Sequence, residues 1–182
     1  MNWRNQPFLL THCFAGLFML FLVGCCPQPG NSAHLLDAPP LAQNQRITGT
    51  YEDVSADHQE SLWALISSGR SLSGGKAGTQ TASICFTDEG RGSVTATHIV
   101  NGIEQQEHVL LKRVGVYAYV DHPAFFSSVL FTAFGCVQVV VGIQPNGDLA
   151  IQTDPHIVGF MLILPIPADP IGVRASFHRT GS

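Results

Sequence analysis

The chain has 182 residues, a formal net charge of -4, 12% charged residues and 45% hydrophobic residues. The negative charge argues against nucleic-acid binding, because domains that bind nucleic acids carry basic patches. The charged fraction is about half that of an average soluble domain, which indicates a large core, an apolar ligand cavity or an exposed surface for association.

The first residues have the pattern of an export leader. Arg4 is the only charged residue before an apolar run from Cys13 to Val23. That run is about eleven residues long, which suits a signal peptide and is shorter than the about 18 residues of a membrane-spanning helix. Residues 1–24 are therefore predicted to be a signal peptide.

The leader ends in Leu22-Val23-Gly24-Cys25, which resembles the lipobox of bacterial lipoproteins. The resemblance implies cleavage after Gly24, acylation of Cys25 with palmitate-type chains, and anchoring at the periplasmic face of the membrane. In that family an Asp after the lipidated cysteine retains the protein at the inner membrane. Cys26 stands there instead, which favours the outer membrane. The alternatives are ordinary thiols in a membrane anchor, or cleavage elsewhere by a general signal peptidase.

Residues 25–45 are predicted to be a lipidated flexible tether. The stretch PQPGNSAHLLDAPPLAQNQ contains four prolines and no hydrophobic period. A flexible chain of about twenty residues has a root-mean-square reach near 25 Å. We expect this segment to hold a single domain, residues 46–182, away from the bilayer.

The domain is predicted to begin with a strand over Ile47–Glu52, followed by one helix. Asp57 and Glu60 have the spacing of a capping box, and Gly69 stands where a C-terminal cap belongs. The apolar residues between them share one helix face; they are Leu62, Leu65 and Ile66. The Gly- and Ser-rich segment Ser67–Thr79 is predicted to be a loop.

From Ala82 onward the sequence has the alternation and turn signals of antiparallel strands. Asn101-Gly102 is a strong hairpin signal, and Pro145-Asn146-Gly147 marks a second hairpin. A two-residue turn at Asn101 would place Val100 opposite Ile103 and His108 opposite Thr95. The predicted fold is mainly β, an antiparallel barrel or sandwich of eight to ten strands with one short helix near the start of the domain.

The order of these elements is faintly similar to that of lipocalin-like barrels. Gly49-Thr50-Tyr51 lies on the first strand and Arg179 follows the last. That family has Gly-x-Trp on its first strand and a basic residue on its last strand that packs over the Trp. Tyr51 replaces the Trp here. The resemblance implies a barrel that binds an apolar ligand in its interior.

An uncharged stretch from Phe125 to Ile143 permits two interpretations. It is long enough to cross a bilayer as a helix, but its β-branched second half and the turn after it favour two packed segments, with the stretch around Phe125–Phe134 as a candidate short helix or lid. Its aromatic residues are the predicted ligand or membrane patch; they are Phe125, Phe126, Phe131 and Phe134.

Cys85 and Cys136 each lie in an apolar, strand-like stretch. In an oxidising periplasm they are a candidate disulfide, which would close a loop of roughly 50 residues and contribute about 4 kcal/mol. The alternative is two buried free thiols.

The motifs of catalysis and cofactor binding do not occur. The segment Gly69–Ala77 lacks the first Gly and the hydroxyl residue of a P-loop, and no Gly-x-Ser-x-Gly elbow is present. The histidines lack the spacing of metal ligands; on the predicted register His98 and His108 do not face each other. We therefore predict no catalytic residue, no metal and no cofactor.

These observations predict an outer-membrane lipoprotein that acts as a non-catalytic binding module. Its partner is expected to be an apolar ligand or a component of the cell envelope. The alternative is an envelope inhibitor or immunity-type lipoprotein that binds a protein through the Ser67–Thr79 loop or the acidic hairpin tips. A hydrolase is the third hypothesis.

Overall fold

The structure, a computed structural model, describes residues 46–70, 81–128, 131–161, 164–167 and 172–180. These residues form nine strands and one helix. In chain order they are β1 (Gly49–Glu52), α1 (Leu62–Ser68), β2 (Ala82–Asp88), β3 (Ser93–Val100), β4 (Ile103–Val114), β5 (Tyr117–Ser127), β6 (Phe131–Ile143), β7 (Leu149–Met161), β8 (Leu164–Pro167) and β9 (Arg174–Phe177). The prediction of a mainly β domain with one short helix near its start is confirmed.

The strands form one antiparallel sheet that closes almost completely. Strands β1 to β8 pair in chain order, and β9 pairs with β7. Beyond β9 the backbone bonds to β1: the Glu52 N–H donates to the His178 carbonyl at 2.9 Å, and the Thr180 N–H donates to the Thr50 carbonyl at 2.8 Å. The result is a nearly closed barrel, the architecture that removes exposed strand edges most completely.

The barrel is open between β4 and β5. These strands pair only from Lys112 opposite Tyr119 to Val114 opposite Tyr117, although β4 has 12 residues and β5 has 11. Past this contact the sheet divides into the β3–β4 hairpin and a projection made by β5 to β8. The outer part of that projection, residues 123–127, 131–137, 155–161 and 164–167, is termed the distal arm.

Large apolar side chains occupy the interior of the barrel. Tyr51 and Phe86, which are in edge-to-face contact at 5.8 Å, lie at the centre with Phe177. Further core side chains come from the helix and from six strands; they include Leu62, Leu65, Ile66, Ile84, Val94, Leu111, Ala118, Val139, Val141, Leu149 and Ile151. Full burial of one such large side chain contributes about 1.5–3 kcal/mol. The fold is therefore held by a filled core.

The helix lies over one end of the barrel. Its buried residues are those predicted from the sequence, and Gly69 adopts the left-handed conformation of a C-terminal cap, with φ 66°. The predicted capping box at Asp57 is wrong, because the helix begins later. Ser61 is the N-cap, and its hydroxyl accepts from the Ala64 N–H at 3.2 Å. Asp57 instead contacts Ser55 within the turn before the helix.

Both predicted hairpin turns are present, but the register of the first changes along its length. Val100 lies opposite Ile103 as expected, and Asn101 and Gly102 have positive φ, as a type I′ turn requires. A bulge then follows, so His108 lies opposite Thr97 and not opposite Thr95. The bulge is the reason the register prediction failed past Glu104, since the extra residues of β4 shift every later pair.

The uncharged stretch Phe125–Ile143 forms the end of β5 and all of β6. Its two-segment interpretation is confirmed, whereas the short helix or lid expected around Phe125–Phe134 is wrong, because Phe125 lies on β5 and Phe134 on β6. Among the residues that the structure describes, no helix has both the length and the hydropathy to cross a bilayer.

The predicted disulfide between Cys85 and Cys136 is wrong, because Cys85 is a free cysteine. Cys85 alternates with the core residues Ile84 and Phe86, so its side chain points out of the barrel. Cys136 lies on β6 in the distal arm, and three strands separate β2 from β6 in either direction around the sheet. The sequence shows two apolar strands with a cysteine each, but not which walls they occupy.

Candidate functional site

Four phenylalanines come together at the end of the distal arm. Phe125 lies directly opposite Phe134, and Phe126 lies opposite Ala133. The rings of Phe126 and Phe131 have centroids 6.0 Å apart. Because side chains alternate along a strand, Phe125 and Phe134 share one face of the arm, and Phe126 and Phe131 share the other. We term these four residues the Phe tip.

The Phe tip is open to solvent. Phe125 is 63% exposed and Phe126 is 58% exposed, while Phe131 and Phe134 are half-buried. On the neighbouring strand of the arm, Val158 is 48% exposed. Aromatic rings left in water at one end of a sheet are unfavourable unless another surface covers them, so such a patch marks a site of interaction.

The distal arm carries no Asp, Glu, Lys or Arg. The sequence has no such residue between Asp121 and Asp148, nor between Asp154 and Asp169. These two uncharged runs are distant in sequence, but the pairing of β6 with β7 makes them neighbours, with Phe134 opposite Val158. The exposed phenylalanines therefore stand in a wholly uncharged part of the sheet.

Polar side chains appear at the base of the arm. Asp121, Gln138 and Asp154 lie side by side on β5, β6 and β7. The Gln138 amide donates to an Asp121 carboxylate oxygen at 3.0 Å, and Asp154 lies 3.1 Å from Nε2 of His156. We term Asp121, Gln138 and Asp154 the acidic row; it marks where the arm joins the barrel.

A close backbone approach between β6 and β7 holds the arm. A Cβ atom at Gly135 would lie 1.9 Å from the His156 carbonyl oxygen. No side chain fits at that distance, so glycine is required there. The contact fixes the two strands that carry Phe134 and Val158.

The helix is fastened to the barrel beneath the arm by polar contacts. The Nε2–H group of His122 donates a hydrogen bond to the Ile66 carbonyl oxygen, at 2.9 Å. Burial lowers the pKa of His122, an effect that the Ile66 carbonyl and Asp121 partly oppose. A neutral imidazole protonated on Nε2 satisfies this geometry.

At the other end of the helix, Asp53 accepts from the Trp63 N–H at 2.7 Å and from the Ser61 hydroxyl at 3.1 Å. Burial raises the pKa of Asp53, and these hydrogen bonds partly oppose the rise. The Trp63 ring stacks on His98, with centroids 4.7 Å apart. Asp53 and His98 thus position α1 against the barrel.

Sequence reasoning missed these helix contacts. His122 and Ile66 are 56 residues apart, and no local pattern marks their meeting. The second uncharged run, residues 155–168, was visible in the sequence, and it was the signal that could have shown the extent of the arm.

The other predicted sites are distributed as follows. Cys25, Cys26 and most of the Ser67–Thr79 loop lie outside the described residues. Nδ1 of His108 lies 3.0 Å from the Thr97 hydroxyl, and His108 faces Thr97 rather than His98. Within the described ranges, no three His, Cys, Asp or Glu side chains are grouped so that they could hold a metal ion.

No protein-family model, curated protein sequence or solved structure matches this chain. The resemblance to lipocalin-like barrels remains one of element order and of the residues where the first and last strands meet.

Proposed function

We propose that this protein is a lipid-anchored binding module of the bacterial outer membrane that carries out no catalysis. In this proposal Cys25 is acylated after cleavage behind Gly24, and the domain faces the periplasm on the tether of residues 25–45. The Phe tip is the surface that engages an apolar component of the envelope.

The observation that carries the proposal is the exposure of Phe125 and Phe126 on an uncharged arm. The barrel interior is a less suitable binding site, because Tyr51, Phe86 and Phe177 occupy it and are almost completely buried. A carrier of the lipocalin type needs a cavity of about 300 Å³ or more for a small ligand. We therefore assign binding to the outer surface.

The protein-binding alternative has one observation in its favour. Along Ile103–Leu111, β4 pairs with β3 on one side, and no strand among the described residues pairs with its other side. An unpaired edge accepts an extended segment of a partner by strand addition. Glu104 and Glu107 are exposed on this edge, so a basic partner segment would fit it.

Photocrosslinking in cells tests the proposed function and separates it from this alternative. A photoreactive phenylalanine analogue is placed at position 126 or at position 110; Leu110 is an exposed apolar residue on β4 with the same 63% exposure as Phe125. We expect a crosslinked product, either a lipid adduct or a protein adduct, at position 126 and little at position 110. The reverse result would favour strand addition at β4, and products at neither position would contradict both hypotheses.

The anchor is tested separately by metabolic labelling with palmitate. The Cys25→Ala variant should retain its leader and incorporate no label, whereas Cys26→Ala should be labelled normally. Labelling of Cys25→Ala at the level of the unmodified protein would refute the lipobox interpretation.

A further inference from the structure

We infer that the apolar partner of the Phe tip is the acyl-chain region of the same membrane that holds the anchor, so that the domain stands with its distal arm in the bilayer. This inference rests on the proposed function and adds the identity of the partner. The uncharged composition of the arm, the acidic row at its base and the length of the tether support it.

The uncharged arm matches a hydrocarbon layer. A membrane interior excludes charged side chains, and the arm has none. Within the arm β5 pairs with β6, β6 with β7, and β7 with β8. Among the described residues the outer edges of β5 and β8 are unpaired, so insertion is limited to the Phe tip and leaves the rest of these edges in the hydrated headgroup layer. A protein partner would be expected to meet charged groups around an aromatic patch, whereas the polar groups nearest Phe125 and Phe126 are the uncharged hydroxyls of Ser127, Ser128 and Thr132.

The acidic row limits how far the arm can enter. From Gln138 to Phe131 is seven residues, or about 23 Å along a strand. One leaflet of hydrocarbon is about 15 Å thick. With the Phe tip within one leaflet, Asp121 and Asp154 therefore remain at the level of the headgroups, where water solvates them. The arm is long enough to enter a leaflet without burying a charge.

The tether is long enough to permit this orientation. The domain begins at Arg46, which lies 3.9 Å from Asp88 at the end of the barrel opposite to the arm. Strand β7 runs between the two ends, from Leu149 to Met161, about 40 Å. Fully extended, residues 26–45 reach about 70 Å. Cys25 and the Phe tip can therefore occupy one membrane at the same time.

Depth-dependent fluorescence quenching tests the inference. The mature, acylated protein is reconstituted into phosphatidylcholine vesicles whose acyl chains carry bromine, a contact quencher of tryptophan. Phe126→Trp places a probe at the Phe tip, and Leu110→Trp is the matched control on β4. Trp63, half-buried against His98, gives the background in the unsubstituted protein.

We expect bromolipid to quench the Phe126→Trp signal at least about twofold more than the Trp63 background, and to leave Leu110→Trp at background. Background quenching at position 126 would overturn the inference. If photocrosslinking at position 126 in cells then yields a protein product, the proposed function stands without a membrane partner; if it yields no product, the proposed function also fails.

Shortening the tether tests the orientation. Deleting residues 28–45 leaves 26 and 27, which extend about 10 Å at most between Cys25 and Arg46, less than the about 17 Å from Leu149 to Asp154 along β7. The shortened protein should be acylated normally, and bromolipid should no longer quench Phe126→Trp. Undiminished quenching would overturn the arm-down orientation.

Discussion

Arg179 lies opposite Tyr51 across the line where the barrel closes. The two residues form an antiparallel bridge, and Tyr51 is completely buried. The Arg179 guanidinium covers Gly49, with Nε and Nη2 each 3.0 Å from the position that a Cβ atom would take. Burial raises the pKa of Tyr51, and the positive charge of Arg179 partly opposes that rise. The contact joins the first and last strands, 128 residues apart in the chain.

We expect Gly49→Ala and Arg179→Ala to be energetically coupled. An Ala at position 49 displaces the Arg179 guanidinium. Arg179→Ala should therefore lower the free energy of unfolding by less in the Gly49→Ala variant than in the unsubstituted protein. The coupling in the free energy of unfolding should be about 0.5–1 kcal/mol, measured by urea denaturation. Gly90 is the control, because it also has positive φ but has no atom within 4 Å of its Cβ position. Additive effects in the Gly49 pair would show that the contact contributes nothing to closure.

Gly135→Ala should disrupt the distal arm while leaving the barrel folded. The added methyl group would meet the His156 carbonyl, and since this is backbone, β6 and β7 must separate locally. We expect the free energy of unfolding to fall by about 3 kcal/mol. Hydrogen exchange should show faster exchange at Val158 and unchanged exchange at Ile151. Gly115→Ala, which is strained by its φ of 63° but has no atom within 4 Å of the Cβ position, is the control for a loss of stability outside the arm. Equal exchange in both variants would mean that the close approach is not required.

Cys85 should react as a free thiol in denatured, non-reduced protein. It is free in the structure, and three strands separate β2 from β6, which carries Cys136. A maleimide label followed by proteolysis should therefore modify the peptide that contains Cys85. Cys85→Ser should change the free energy of unfolding by less than about 1 kcal/mol, since no bridge is lost. A peptide that joins Cys85 to Cys136 would contradict the structure.

Stability should fall as the pH drops below about 6.5, and His122 should account for part of the fall. Its pKa is lowered in the folded protein, so between that value and the unfolded value near 6.5 the unfolded chain binds more protons. Acidification through this window therefore favours unfolding, and above it the effect vanishes. Asp121 and the Ile66 carbonyl, which face His122, reduce the size of the effect.

The measurement is the urea midpoint at pH 5, 6 and 7. The midpoint should vary less with pH in His122→Gln than in the unsubstituted protein. His108→Gln, at an exposed histidine on β4, should leave the pH dependence unchanged. If the urea midpoint varies with pH identically in His122→Gln and in the unsubstituted protein, His122 does not contribute to the pH dependence of stability.

The candidate site was predicted in part. The four phenylalanines were evident from the sequence because they fall in one uncharged run. Their division between two faces follows from the pairing of Phe125 with Phe134. Val158 joins them because β7 pairs with β6, which brings Val158 opposite Phe134 although the two are 24 residues apart in the chain.

The sequence by itself determined what depends on near neighbours. The left-handed cap at Gly69, the buried face of α1 and the turns at Asn101 and Asn146 follow from backbone preferences and hydrophobic periods that act over a few residues. The tertiary structure decided what depends on contacts between distant residues. The bulge before His108 decides which β3 residues lie opposite Val109 and Leu111, and no local signal specifies it. Likewise, Arg179 meets Tyr51 only because the sheet curves round on itself, and that curvature accumulates over all the strands. Cys85 and Cys136 are separated by the strand order, which places three strands between β2 and β6.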